Sequence, residues 1–184
     1  MLGFPVPCGE IEGISLVLVP TTREHAHYFV KWVNDPETPH YGGRIRGCTE
    51  EGEERWYDDK RQDDTFILWT IMLGEEPIGL SWVTGMDQRL RTGYTGIHIG
   101  RKDLWGKGIA TKVMKARSTH LFLEHNFQAL FSQIFMPNVG SRTAAERAGY
   151  VQWGIRPYAG YHNGTYLDLW EGVLTRERWQ QLSQ

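Results

Sequence analysis

Two glycines flank a lysine at Gly106, Lys107 and Gly108, inside the stretch DLWGKGIATKVMKA that runs from Asp103 to Ala116. The residues before it, ending at Ile99 or Gly100, are β-branched and aromatic, and those after it run into an apolar period of about 3.6 residues. A strand, a short glycine loop and a helix start together form a construction that receives phosphate. Glycine lets the backbone approach a ligand and take positive φ, and the N–H groups of a first helical turn have no helical partner and lie at the positive end of the dipole.

The spacing chooses among the phosphate loops that share this logic. A loop of the Walker type places four residues between its first glycine and a Gly-Lys pair, and follows the lysine with Ser or Thr; here Gly100 and Gly106 enclose five, and Gly108 follows Lys107. A dinucleotide fingerprint needs a third Gly or Ala where Thr111 stands, and an acidic residue at the end of the next strand, which here reads IFMPN. Neither pattern is met.

Around the loop the chain divides into short elements. GISLVLVP reads as a strand closed by Pro20, and Thr21 with Glu24 reads as a capping box that opens a helix turning Ala26, Phe29, Val30 and Val33 inward. HYGGRIRG is glycine-rich and reads as a mobile connection to a second helix from about Glu50 to Arg61. Three strands in meander follow, TFILWTIML, PIGLSWVTG and GYTGIHIG. The loop then opens a helix with Ile109, Val113, Ala116, His120 and Leu123 in one row, Ala110, Met114 and Leu121 beside it, and Lys112 and Lys115 toward water. ALFSQIFM is a fifth strand, SRTAAERAG a short helix, and YVQWGIRPY and TYLDLWEGVL two last strands around the turn HNG. The expected order is β-α-α-β-β-β-α-β-α-β-β, an α/β (α+β) arrangement of about seven strands and four helices in one domain over 1–184, with 1–13 a loosely ordered N-terminal segment.

Composition narrows the function classes. The chain has 184 residues, 40% hydrophobic, enough for a sizeable core in one domain. No apolar run approaches the roughly 18 to 20 residues of a membrane span, and the start lacks the basic region and apolar block of a signal peptide, so a cytoplasmic protein is expected. Cys8 and Cys48 have no spacing of a metal site or redox pair, and no metal is expected. The net charge of −2 gives no bulk attraction to nucleic acid, and no nucleic-acid or membrane partner is expected. Charge is instead polarised: Thr49 to Asp64 holds eight acidic side chains against three basic ones, and Arg101 to Arg117 holds six basic against one acidic. One end suits a cation and the other an anion, although each cluster is also what a solvated helix face looks like.

LWGKGIAT resembles the pyrophosphate loop of the GNAT acetyltransferases, whose pattern is Arg or Gln, two residues, Gly, one residue, then Gly or Ala. Trp105 stands at the first position, as in the RimJ/RimL-like branch, with Gly108 and Ala110 at the last two. NVGSRTAAERAGY resembles that branch's Asn-x-x-Ser and following helix, and YHNGTYLDLWEGVLTRERW its terminal hairpin with a closing Arg-x-x-Trp. The similarity runs from about Ser15 to Trp179.

The resemblance implies a GNAT fold: a mixed, mostly antiparallel sheet that splays between the fourth and fifth strands counted above. It implies acetyl-CoA as co-substrate, held by Trp105, Gly106, Lys107, Gly108, Ile109, Ala110 and Thr111 at the pyrophosphate, by Ile97, His98 and Ile99 along the splayed strand, and by Asn138 and Arg142 of the second block. Gly96 would be the bulge, and an N–H of Ile97 to Ile99 would stabilise the thioester oxyanion. The reaction implied is direct attack of a primary amine on the thioester in a ternary complex. Many members carry a Tyr for the leaving thiolate where Ala145 stands, which leaves Ser141 for that role; its other reading is a cap of the helix that begins there. The branch often has a Glu where Tyr94 stands, which leaves Asp168 first as the base, with His98 or ordered water as alternatives. Trp56, Tyr57, Trp82, Trp153, Tyr158 and Tyr161 could line an acceptor cleft or fill a core. The acceptor implied is a small cationic amine, an aminoglycoside, polyamine or amino sugar, or a protein N-terminus. The other possibility is a non-catalytic module binding acetyl-CoA or a partner protein, and a homodimer is the assembly that the branch suggests.

Overall fold

The computed structural model describes residues 4–35 and 47–184, with the Ala26 side chain outside the described set. Most of the glycine-rich connection from His40 therefore lies outside the described residues. Eight strands form one open sheet in the order β1-β2-β3-β4-β5-β6-β8-β7: β1 (Val6–Ile11), β2 (Ile14–Pro20), β3 (Ile67–Leu73), β4 (Glu76–Asp87), β5 (Thr92–Ile99), β6 (Ala129–Phe135), β7 (Val151–His162) and β8 (Thr165–Thr175). Among the described residues five α-helices accompany it: α1 (Ala26–Val33), α2 (Glu50–Arg61), α3 (Ile109–Glu124), α4 (Val139–Arg147) and α5 (Arg176–Leu182).

The extra strand corrects the expectation of a loose N-terminal segment. Val6, Cys8 and Ile11 are buried, but a register skip between Pro7 and Glu10, with Gly9 at φ 92°, breaks the alternation that would mark a strand in the sequence. Glu12 and Gly13, both at positive φ, then close a tight hairpin onto β2. The fifth helix is equally short of sequence signal, being seven residues opened by the Thr175 hydroxyl, which accepts the Arg178 N–H at 3.2 Å.

The capping box at Thr21 does not form. Thr21 is fully buried, its hydroxyl 3.1 Å from that of Thr70, and a 3-10 turn over Arg23–His25 precedes α1. Helix α1 buries Phe29 and Trp32, while Val30 and Val33 are half-buried, so the inward row lies one residue from the expected one. Helix α2 is capped by the Thr49 hydroxyl on the Gly52 N–H at 3.1 Å and buries Tyr57, whose hydroxyl donates to the Thr21 carbonyl at 3.0 Å.

One face of the sheet packs against α3 and α4 through Ile67, Trp69, Ile71, Val113, Leu121, Ile134 and Trp170. The other face carries a smaller core, Phe29, Trp32, Phe66, Leu68 and Leu80, under α1 and α2. Helix α3 buries Arg117, Ser118 and Phe122 where His120 and Leu123 were expected to continue the row; Leu123 is 60% exposed. No helix among the described residues is long and apolar enough to cross a membrane. Among the described residues every strand pairing is antiparallel except that of β5 with β6, which is parallel and stops at Tyr94↔Phe131. Beyond that pair the two strands separate, and the sheet opens in a V.

Candidate active site

The V is lined on one side by main chain. The Gly100 N–H donates to the Ile78 carbonyl at 2.8 Å, so antiparallel alternation turns the main-chain groups of Gly96 and His98 toward β4 and those of Ile97 and Ile99 into the V. Of the three residues expected along this strand, His98 therefore spends its main chain on β4, and its ring lies 6.4 Å from that of Trp32 on the α1 side. Gly96 is in regular register opposite Trp82; the β4–β5 irregularity falls between Thr84 and Asp87. What glycine provides at 96 is close approach, since a Cβ there would lie 2.1 Å from the Trp82 ring.

At the end of β5 the glycine loop folds back onto this edge. The Trp105 indole N–H donates to the Ile99 carbonyl at 2.9 Å, which ties the loop to the strand. The Trp105 main-chain N–H is already given to the Lys102 carbonyl at 3.0 Å, so the open arc of donors begins at Gly106 and runs to Thr111. None of these six N–H groups meets an acceptor among the described residues, and the first helical bond runs from the Lys112 N–H to the Gly108 carbonyl. Gly106 and Gly108 lie at φ 81° and 79°, and a side chain at either would meet nothing within 4 Å, so the torsion and the open space in front of the loop account for them. Six N–H groups converging at the start of a sixteen-residue helix fit the pyrophosphate of acetyl-CoA.

The cations counted around the loop have separate fates. Arg101 is paired with Glu76 and Asp103, which holds the Asp103 carboxyl below its usual range through the hydrogen bond it receives. Lys102 lies 2.6 Å from Asp35, and Lys107 3.2 Å from Glu12 on the β1–β2 turn. Arg117 is 1% exposed and donates to the Ser81 hydroxyl at 2.9 Å and the Gly96 carbonyl at 2.6 Å, bracing β4 and β5 from beneath. The row Val113, Arg117, Leu121 at a spacing of four marks Arg117 as an inward residue, a signal that its charge had masked. Lys112 and Lys115 remain at the surface, as expected.

On the other side of the V stands the start of α4. Asn138 is its cap, its side-chain oxygen accepting the Ser141 N–H at 3.1 Å, so Ser141 is the capped residue and not the cap. The Ser141 hydroxyl is half-buried and takes no partner among the described residues, which leaves it free to donate. Arg142 lies beside it, with one nitrogen 3.5 Å from the Met136 sulfur and a buried Nε without a hydrogen bond. Ala145 is fully buried in the core.

Asp168 is exposed on β8, and its carboxylate accepts the Tyr158 N–H at 3.1 Å where β7 skips register between Arg156 and Gly160 and Tyr158 takes φ 52°. Its own carbonyl accepts the Met136 N–H at 2.9 Å. These contacts hold the terminal hairpin against the end of β6. Sequence reading passed over Glu171, three residues on. Strand alternation puts it on the face opposite buried Trp170, together with Tyr94 and Phe131 beside the V. Of the aromatic candidates, Tyr57 is core and Trp56 and Trp82 pack against the smaller core, while Trp153, Tyr158 and Tyr161 are 57%, 75% and 57% exposed.

Solved structures share this architecture. The spermidine N-acetyltransferase from Vibrio cholerae, in complex with CoA and spermine, superposes with a TM-score of 0.83 at 17% identity, over 90% of this chain and 98% of its own. Mycobacterium smegmatis RimJ, in complex with CoA-disulfide, gives 0.82 at 16% identity over 99% and 92%, and RimL, a ribosomal L7/L12 alpha-N-protein acetyltransferase, gives 0.80 at 17% identity over 95% of each chain. The family model described as an acetyltransferase (GNAT) domain matches residues 15–151, a span that takes in β2, the V, the glycine loop and α4. With the donor arc, the free strand edge and that match in one place, the chain belongs to the GNAT acetyltransferase family.

Proposed function

We propose that the protein moves an acetyl group from acetyl-CoA to the primary amine of a small cationic acceptor, with a protein N-terminus as the alternative acceptor. The observation that carries this is the continuity of the Gly106–Thr111 donor arc with the β5 edge, where the main-chain groups of Ile97 and the Ile99 N–H are open while the Ile99 carbonyl holds the Trp105 indole: one line of backbone groups leads from a pyrophosphate seat into the V. The thioester supplies an activated acyl group with a good leaving thiolate. The chain supplies the rest. The arc binds the pyrophosphate, the β5 edge pairs with the amide-bearing arm as a further strand would, and an N–H of Ile97 or Ile99 stabilises the carbonyl oxygen as it gains charge. Ser141, free at its hydroxyl at the mouth of the V, is the proposed donor to the thiolate.

The acceptor side is anionic. Glu50 and Asp59 lie on the exposed surface of α2, Arg55 faces Glu51 at 3.6 Å, and Arg23 offsets Glu54 and Asp58, so the helix keeps an excess of carboxylates. This field draws a cationic amine. Asp168 is the proposed base, its carboxylate oriented by the Tyr158 N–H on Oδ1, with His98 or ordered water as the alternatives. A homodimer belongs to the same reading and is checked by light scattering.

The test is thermal unfolding with acetyl-CoA, ATP or NADH, followed by free-thiol release with an amine panel. A ligand at 100 times its Kd adds about 2.7 kcal/mol, which raises Tm by roughly 5 to 11 °C in a domain near this size. A shift with acetyl-CoA alone and thiol release with an amine are expected. Ser141→Ala should lose turnover at unchanged acetyl-CoA affinity, and an acidic limb of the pH-rate profile that survives in Asp168→Asn removes Asp168 as base. Acetyl-CoA binding without thiol release from any amine would leave a binding module.

A further inference from the structure

Glu171 has the geometry of a seat for a second positive charge on the acceptor. It stands on β8 between Gln133 of β6 and Gly154 of β7. Continuing the β5–β6 register past Tyr94↔Phe131 sets Gln133 level with Gly96 across the mouth of the V. Helices α1 and α2 cover the β3–β5 part of this face, and over β6, β8 and β7 no helix lies on it among the described residues, whereas α3 and α4 close the opposite face. An acceptor that meets an acyl group in the V has this side to come from.

The carboxylate is held in place and half spent. Its Oε1 accepts from the Gln133 side-chain amide at 3.1 Å and lies 3.6 Å from Arg156, and its side chain is 17% exposed. Oε2 takes no hydrogen bond among the described residues, and the residue facing it, Gly154, has no side chain; a Cβ there would come within 3.6 Å of it. Arg156 faces Oε1 at 3.6 Å, an ion-pair distance beyond hydrogen-bond reach, with its guanidinium 52% exposed, so the acceptor capacity left to an ammonium is that of Oε2. Beside the carboxylate runs an aromatic row across three strands: Tyr94 to Phe131 at 5.4 Å between ring centres, and Phe131 to Trp153 at 6.3 Å. A fixed carboxylate with one open oxygen, next to exposed π faces, is a seat for an alkylammonium.

This seat is separate from the reacting position. Two strand spacings of about 4.8 Å each lie between β8 and β5, and the splay adds to them. A cation on Glu171 and an amine attacking in the V therefore belong to different ends of one molecule. We propose that Glu171, set by Gln133 and flanked by Trp153 and Phe131, is the specificity residue that binds the distal ammonium of a small di- or polycationic amine. This rests on the reading of the protein as an amine acetyltransferase and narrows its acceptor class.

The experiment compares wild type with Glu171→Gln, which keeps the shape and the Gln133 contact and removes the charge. The probes are 1,5-diaminopentane and pentylamine, the first with a second cation and the second without. Steady-state kinetics and calorimetric titration of each amine into the CoA-saturated protein are the readouts, with Tm and the acetyl-CoA KM as controls. The expected result is a roughly tenfold rise in KM and Kd for the diamine at nearly unchanged kcat, the size of a lost charge-assisted contact. The wild-type preference for diamine over pentylamine should collapse in the variant, while Tm and acetyl-CoA KM stay put. An unchanged diamine KM, or a fall in kcat at constant KM, overturns the proposal while leaving the amine acetyltransferase intact. Efficient acetylation of an N-terminal peptide lacking other cations, insensitive to Glu171→Gln, overturns it in favour of a protein acceptor. A wild type that binds and acetylates no amine overturns both readings together.

Discussion

His120 and His125 face each other near the C-terminal end of α3, ring centres 5.3 Å apart, with Trp69 edge-on to His120 at 6.2 Å and Phe127 beside His125 at 6.5 Å. Burial against these rings lowers both imidazole pKa values below the usual 6.5, and Glu124 opposes the shift only in part. His25, half-buried beside the Thr70 hydroxyl, is lowered for the same first reason, with Glu24 and His27 as its charged neighbours. A histidine whose folded pKa is depressed binds fewer protons folded than unfolded. Its neutral form costs nothing above the unfolded pKa, and stability declines as pH falls through 6.5 toward the lower folded value. We expect Tm to fall between pH 7.5 and 5.5, and to fall less in His120→Asn/His125→Asn, measured in buffers of matched ionic strength. Equal slopes in the two proteins would place the sensitivity elsewhere. Cys8, with its thiol pushed up to about 11 chiefly by burial, takes no part in this range.

At the scale of elements, the V depends on β4 and β5 staying tightly paired while β6 departs. Arg117 braces that pair from the α3 side through Ser81 and Gly96, and Trp82 presses on Gly96 from the other. A methyl group at 96 would overlap the Trp82 ring, so Gly96→Ala should cost about 1 to 3 kcal/mol as an overpacking change, read from the urea midpoint. Trp82 is half-buried and can be removed. The double variant Gly96→Ala/Trp82→Ala should then be less destabilised than the sum of its single variants; strict additivity would mean that the cost at 96 does not come from the Trp82 contact. Legibility follows the same physical division. Strands with a clean pattern and strong punctuation, β3, β4 and β5, were readable, and so were the glycine loop and the start of α3, because few backbone designs place positive φ twice around one residue; the far half of α3 was not, since Arg117, Ser118 and Phe122 take the buried places expected of His120 and Leu123. The strand β1 was not, because its bulge at Gly9 breaks the alternation. The α1 cap was not, because buried pairing of Thr21 with Thr70 across 49 residues outweighed a local capping box. Charge was a poor guide to burial: Arg117 was counted with the basic cluster around the loop and is core, and Glu171 carries no motif signal, its place beside Phe131 on β8 resting on a register that only the folded sheet supplies.

The two halves of the sheet differ in cover, and that difference extends over the whole molecule. Strand β3 lies between two partners with helices on both faces, and its first five residues are buried. Strand β7 is an edge, paired on one side to β8, and most of its residues are exposed or half-buried. Local opening free energy follows such cover, so amide exchange should be slowest in β3 and fast in the unpaired-side amides of β7. Ligands should then mark the two sites separately. Acetyl-CoA should slow exchange at Gly106 to Thr111 and at Ile97 and Ile99, whose N–H groups are open, and leave Gly96 and His98, already bonded to β4, little changed. Added 1,5-diaminopentane should slow amides around Gly154 and Glu171 with no further effect on the loop. Equal slowing in every strand would indicate global stabilisation without local seating, and protection of β7 by acetyl-CoA alone would merge the acceptor face with the cofactor line. Resolved protection at the two places would instead show that the V separates a phosphate-binding half, built from backbone, from an amine-binding half, built from side chains.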